Sequence, residues 1–199
     1  MEPFKCVVVG DASSNKTQLF YNYTNQDCSN EYCTSFSENY LKSFKKNTQI
    51  YQCEFIDTTG QESYQSIRLI SYIQADVFIL CFSLTDKKSL DNIKNIWHPE
   101  ITKVSPKAKV ILVGTLLNPH EKTVTDDEVN KTKRCIKFNN YIECDLYEMD
   151  QVNSVFETAI KSVFKKRKKK FFSVFHKKKK ETELEAILDN SFDFQEIVS

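Results

Sequence analysis

Along the first 164 residues, apolar runs alternate with longer amphipathic stretches, the pattern of an α/β domain built on a mostly parallel sheet. Lys5 to Val9 (KCVVV), Asp76 to Phe82 (DVFILCF) and Lys109 to Val113 (KVILV) are continuous apolar or β-branched runs, as strands covered on both faces require. Residues 40–46 and 49–56 alternate more, which predicts an antiparallel edge hairpin. Helices are predicted between these runs. One covers Thr17 to about Tyr23, one is capped by Thr85 or Asp86 and runs to about Thr102, and one opens on a capping box of Thr125 and Glu128. The last is the clearest, because Val152, Val155, Phe156, Ala159, Ile160, Val163 and Phe164 recur at spacings of three and one and form a single apolar face.

Charge changes this picture only at the far end. The net charge of +1 conceals a segregation: residues 165–180 hold ten basic residues and no acid, whereas 181–199 hold six acids and no base. The expected organisation is therefore a nearly neutral body over 1–164, a polybasic and aromatic segment over 165–180, and an acidic tail over 181–199. At 199 residues the chain suits one domain with a substantial core.

Composition excludes several chemistries. Average usage would supply about fourteen glycines, and the chain has three, Gly10, Gly60 and Gly114, each about fifty residues from the next. That leaves no room for a G-x-G-x-x-G dinucleotide turn, a collagen repeat or a flexible Gly/Ser linker. Seven cysteines form no C-x-x-C pair and there are only three histidines, so no zinc-ligand spacing exists and the thiols are expected to be packed or idle. The apolar run near Met1 is too short for a signal-peptide core, and no stretch reaches the length of a membrane span, which predicts a cytosolic chain. The N-x-T triplets at Asn15, Asn22 and Asn130 are then chance matches.

The first strand runs into Gly10-Asp11-Ala12-Ser13-Ser14-Asn15-Lys16-Thr17, which fits the phosphate-loop spacing G-x-x-x-x-G-K-[ST] except that Asn15 replaces the second glycine. In such a loop successive backbone N–H groups and a helix N-terminus wrap phosphates, the lysine adds a point charge, and the hydroxyl serves Mg²⁺. Asn tolerates unusual dihedrals better than most residues, so the loop can keep its shape. The other reading of this octapeptide is a strand-to-helix turn whose polar residues only cap the helix. A second cluster, Asp57-Thr58-Thr59-Gly60-Gln61-Glu62, follows the strand over 49–56.

With D-x-x-G-Q-E placed after a second strand and a phosphate loop, the chain resembles the small GTPases. Residues 31–40 (EYCTSFSENY) resemble the first switch loop of the Rho/Rac branch, and Phe78 to Leu84, Trp97-His98-Pro99-Glu100, Lys109 to Thr115 and Val155 to Val163 extend the likeness over residues 4–164. One departure is that only 22 residues separate Asn118 from Tyr141, too few for the insert helix of most Rho proteins. The resemblance implies the P-loop small-GTPase fold, a six-stranded, mostly parallel sheet with helices on both faces, and GTP or GDP with Mg²⁺ as ligands.

Carried over residue by residue, the resemblance assigns Ala12, Ser13, Ser14, Asn15, Lys16, Thr17 and Gln18 to phosphate and nucleotide binding. Thr17, Ser35 and Asp57 fall to Mg²⁺, with Thr34 adjacent to Ser35. Gly60 would sense the terminal phosphate, and Gln61 would be the catalytic group that orients water. Ala12 stands where relatives have a glycine against that phosphate, and Thr59 where they have alanine. Both predict slow hydrolysis that resists an arginine finger worth about 10³ to 10⁵ in rate.

Base recognition departs furthest. The N/T-K-x-D pattern becomes Thr115-Leu116-Leu117-Asn118, and the later S-A-x pattern becomes Asp145-Leu146-Tyr147. Guanine presents two donors that a carboxylate accepts together, whereas Asn118 offers one acceptor and one donor, an arrangement better matched to xanthine. An unmatched polar edge costs about 1–3 kcal/mol.

The basic segment over 165–180 interleaves cations with Phe171, Phe172 and Phe175 and is expected to bind an anionic, plasma-membrane-like surface. The chain would be cytoplasmic and peripheral there, with phosphorylation at Ser173 weakening the contact. No cysteine follows Cys144, so C-terminal prenylation is not expected. A solvated helical extension, a nuclear-localisation signal and nonspecific RNA contact are the other readings of the segment; specific nucleic-acid binding is not expected. In the tail, Thr182 and Glu185 form a capping box before Leu184, Ile187 and Leu188, consistent with a short partner-binding helix, a mask over the basic run, or a disordered tip.

Two functional classes result. The first is a Rho-like GTP-binding switch at a membrane, with weakened nucleotide affinity and slow hydrolysis, meeting effectors and regulators through loops 28–40 and 58–70. The second is a pseudo-GTPase adaptor with a fixed switch surface and no significant turnover.

Overall fold

The computed structural model describes residues 3–24, 37–46, 49–175 and 195–196. In chain order its elements are β1 (Phe4–Gly10), α1 (Lys16–Thr24), β2 (Ser37–Lys46), β3 (Gln49–Thr58), α2 (Gln65–Tyr72), β4 (Val77–Ser83), α3 (Lys87–Asn92), α4 (His98–Val104), β5 (Lys109–Leu116), α5 (Asp126–Cys135), β6 (Asn140–Asp145), α6 (Met149–Phe175) and β7 (Gln195–Glu196). The sheet order is β6-β5-β4-β1-β3-β2-β7. Every pairing from β6 across to β3 is parallel, while β2 runs antiparallel to β3 and β7 antiparallel to β2. The expected six strands are present, and the two residues of β7 add a seventh.

The apolar runs became the buried strands because helices cover both faces. All seven residues of β4 are buried, as are seven of the eight in β5. On one face, α1 and α6 pack Phe20, Tyr23, Phe156 and Phe164 against Phe4 and Phe55. The Tyr23 and Phe156 rings stack there with centroids 3.8 Å apart. On the other face, Tyr72, Leu90, Ile101 and Val129 from α2, α3, α4 and α5 pack on Phe78, Leu80 and Phe82. Cys6, Cys53, Cys81 and Cys144 are buried free thiols, and burial drives the Cys144 thiol up to about 12. These four are packing groups.

Three local outcomes differ from the hydrophobic pattern. The single helix expected over 85–102 is capped by Asp86, whose Oδ1 accepts from Lys88 N at 2.9 Å, but a π turn over Ile93–Trp97 separates α3 from α4. Pro99, just inside α4, lacks the N–H that regular helical pairing needs, and the turn that precedes it absorbs that break. Helix α6 does not stop with its apolar face at Phe164 but continues to Phe175. Lysine and arginine are good helix formers, and no glycine or proline interrupts the run, so the backbone can stay helical through it. The helix α2 and strand β6 carry no pattern strong enough to read: α2 turns Ile67 and Ile70 outward, and β6 has only Cys144 buried. The capping box at Thr125 and Glu128 forms as expected.

Strand β1 lies between β3 and β4, so consecutive connections leave it in opposite directions across the sheet. In a doubly wound sheet this switch point opens a crevice at the carboxyl ends of the strands. The register puts Val8 beside Asp57 and Gly10 beside Cys81, which brings the ends of β1 and β3 together there. Replacing the fully buried Phe156 by Ala should cost about 3–5 kcal/mol, read as a lower urea midpoint with an unchanged slope.

Candidate functional site

The loop after β1 is shaped by its backbone. Residues Ala12–Ser14 form a short 3-10 turn, and Asn15 closes it in the left-handed region at φ 51° and ψ 21°. Asparagine thus supplies the conformation expected of the missing glycine. The Asp11 carbonyl accepts from Ser14 N at 3.1 Å, Ser14 Oγ at 2.7 Å and Lys16 Nζ at 3.3 Å. Lys16 is buried under this loop. Burial pushes its ammonium below the usual lysine range, against the upward pull of Asp57.

The end of β3 meets the loop directly. Thr17 Oγ1 donates to Asp57 Oδ2 at 2.7 Å, and Asp57 is fully buried. A Cβ on Gly60 would lie 2.5 Å from Ala12 N and 2.6 Å from Gly10 O, so only glycine lets this segment approach the phosphate loop so closely. Thr59 Oγ1 accepts from Gln61 N at 3.3 Å. The structure therefore brings together Ala12, Ser13, Ser14, Asn15, Lys16, Thr17, Asp57, Gly60 and Gln61. Ser35 and most of the loop over 28–40 lie outside the described residues. Gln18 sits on α1, where its Nε2 donates to Asn22 Oδ1 at 2.6 Å.

The positions that the resemblance assigns to the base also converge, but their polar atoms are engaged elsewhere. Asn118 caps the turn Pro119–Glu121: its Oδ1 accepts from His120 N at 3.1 Å and its Nδ2 donates to Glu121 Oε1 at 3.0 Å. Asp145 Oδ1 accepts from Tyr147 N at 2.9 Å, and Leu146 is buried. Leu116 is buried and Leu117 exposed. Thr115 Oγ1 lies 2.7 Å from Ser14 O and 3.1 Å from Phe82 O, tying β5 to the phosphate loop.

A buried network joins the loop after Gly60 to the opposite helix layer. The Arg68 guanidinium donates to Glu100 through Nε at 2.8 Å and Nη2 at 3.0 Å, and its Nη1 donates to the Gln61 carbonyl at 2.7 Å. Tyr72 OH and Gln65 Nε2 donate to the same carboxylate at 2.9 and 2.8 Å. Arg68 also stacks over Trp97, 4.7 Å from its ring centre. Trp97 Nε1 in turn donates to Asp11 Oδ1, while Asn92 Nδ2 donates to Asp11 Oδ2 at 2.7 Å. Burial alone would raise the Glu100 carboxyl, but the bonds from Arg68, Gln65 and Tyr72 hold it below the usual range. Sequence reading named Asp11 and the Trp97 to Glu100 segment only as members of motifs. Two charges 32 residues apart give no local sign that they will pair.

A phosphate loop at the switch point of a doubly wound sheet, with a threonine and a carboxylate beside a buried lysine, defines a P-loop nucleotide-binding α/β protein. The Ras family model matches residues 5–165. The chain is also 35% identical over 172 residues to the Rho-related protein racC of Entamoeba histolytica, covering 80% of this chain and 89% of that relative. The chain belongs to the Ras family and is a Rho/Rac-like small GTPase.

Replacing Glu100 by Gln strips the buried Arg68 of its counter-charge and should lower stability at neutral pH by about 3 kcal/mol. The native carboxyl lies below its ordinary 4.5, so its contribution is present above that value and is lost as pH falls through the folded value. The gap between the urea midpoints of the two proteins should narrow as pH falls from 7 toward 3.

Proposed function

We propose that the chain is a Rho-like switch that grips the phosphates of a nucleotide normally but recognises guanine weakly and hydrolyses it slowly. The observation that carries this reading is the contrast between the two halves of the site. The phosphate half has its left-handed turn, its lysine and the Thr17–Asp57 pair. The base half has both polar atoms of Asn118 committed to a local cap.

Thr17 and Asp57 are hard oxygen donors side by side and fit a Mg²⁺ site, with Ser35 as the third group that the family resemblance supplies. When bound, the ion neutralises charge on the phosphate oxygens. Lys16 would hold the phosphates by charge, the amides of 12–17 would wrap them, and Gln61 would orient water. Releasing Asn118 from its cap to meet guanine still leaves one of the two base donors unmatched, a loss of about 1–3 kcal/mol or roughly ten- to hundredfold in affinity. Ala12 stands where relatives carry glycine, and Thr59 Oγ1, where they carry alanine, holds the Gln61 N–H at 3.3 Å, a pairing that favours slow turnover.

The adaptor reading draws on the same base half, since Leu116 is buried where relatives carry a lysine and Asp145 is held in a turn. Titration of the full chain with labelled GTP, GDP and XTP in Mg²⁺ separates the two. The switch reading expects measurable binding, a gain of about ten- to hundredfold for GTP in Asn118→Asp, and loss in Lys16→Ala. No affinity tighter than about 100 μM for any of the three, with Asn118→Asp unchanged, would establish the adaptor instead.

We also propose that the basic segment locates the protein on anionic membranes. Its first eleven residues continue α6, so cations and phenylalanines lie on a helix attached to the body. Each cation near an anionic surface contributes about 1 kcal/mol. The full chain should sediment with phosphatidylserine vesicles at low salt and be released at high salt. Binding to neutral vesicles alone, or none at all, would overturn this reading.

A further inference from the structure

Strand β2 is paired on one side along its whole length with β3, from Ser37 opposite Thr58 to Lys46 opposite Gln49. Among the described residues its other side is the edge of the sheet, where Phe44 and Lys45 pair antiparallel with Glu196 and Gln195. An open edge presents unsatisfied N–H and C=O groups and invites an added strand. We propose that the acidic tail of this chain, centred on Gln195–Glu196, is a built-in occupant of the β2 edge, folded back in cis. Any partner that docks by adding a strand there must displace it.

Charge, reach and alternation support this assignment. The edge strand contributes Lys42, Lys45 and Lys46, whereas residues 181–199 hold six acids and no base. From the end of α6 at Phe175 to Gln195 the chain advances 20 residues, which can span up to about 65 Å. The ring of Phe164, at the end of the apolar face of α6, lies 4.7 Å from that of Tyr51, the β3 residue paired with Phe44, so the length of chain available exceeds what the distance to the β2 edge requires. The sequence around the pairing, Phe192-Asp193-Phe194-Gln195-Glu196-Ile197-Val198, alternates in part and has no proline, as an added strand requires. The preferred external ligand of the edge is therefore an extended acidic segment that also carries apolar residues. Strand addition supplies its main-chain hydrogen bonds, and the lysines select its charge. Attraction between opposite charges weakens with salt, so occupancy of the edge should fall as ionic strength rises. This inference needs no nucleotide and stands apart from the proposals above.

Hydrogen exchange on the full chain tests it. In the double variant Gln195→Pro, Glu196→Pro, which removes both tail N–H groups, amides within 43–46 should exchange at least about tenfold faster, while those of buried β5 remain unchanged. A synthetic peptide of residues 189–199 added to that variant should restore the protection. Identical exchange in the two proteins would overturn the proposal. Protection of the native chain that disappears on dilution would also overturn it, because the strand would then come from a second copy.

Discussion

The ion pair between Arg68 and Glu100 is the contact on which the arrangement of the site depends. Both side chains are nearly inaccessible to water, and a charge in such a place is tolerated only when its partner and its remaining hydrogen-bonding positions are supplied. Here they are: three guanidinium nitrogens reach the carboxylate and the Gln61 carbonyl, and the carboxylate gathers Tyr72 and Gln65 as well. The pair therefore fixes the direction in which the chain leaves Gly60. Stacking of Arg68 on Trp97, and the Trp97 bond to Asp11, carry the same constraint to the phosphate loop. The segment that would place water and the loop that would hold phosphate are thus positioned by one buried cluster on α2, α4 and the π turn.

That cluster gives the π turn a purpose within the fold. A regular helix through Pro99 would be broken at that point, and the wider turn over Ile93–Trp97 is where Trp97 and its neighbour Asn92 reach Asp11. A backbone irregularity, a proline and the one tryptophan of the chain thereby serve a single contact. The same segment reads from sequence as ordinary amphipathic helix, because periodicity reports which face is apolar and not how far a turn is widened.

The parts that were legible share a physical cause. Buried parallel strands need continuous apolar runs, so Lys5 to Val9, Asp76 to Phe82 and Lys109 to Val113 stood out, and the Thr125 capping box was visible because its two partners are three residues apart. Phosphate-loop residues were legible because their spacing is set by one local turn. What stayed hidden depends on contacts distant in sequence: the Arg68 network and the pairing of the tail with β2. The use of Asn118 as a cap was hidden for another reason. Its base-facing role comes from family position, whereas Asn before Pro119 has a local preference to cap a turn, and the backbone here follows that preference.

The two halves of the site can diverge separately because they rest on different kinds of structure. Phosphate binding uses backbone amides whose positions the core dictates, and a side chain is acceptable wherever its Cβ finds room. The three remaining glycines mark where it does not. A Cβ would meet Cys81 O at 2.2 Å from Gly10, Ala12 N at 2.5 Å from Gly60, and the Leu84 and Phe82 side chains at 3.1 Å from Gly114. Positions 12 and 15 are different: Ala12 is exposed, and Asn15 reaches the left-handed region with a side chain that tolerates it. Glycine can therefore be lost at these two positions without losing the loop. Base recognition uses side chains at the ends of β5 and β6, where substitution changes chemistry while leaving the fold intact.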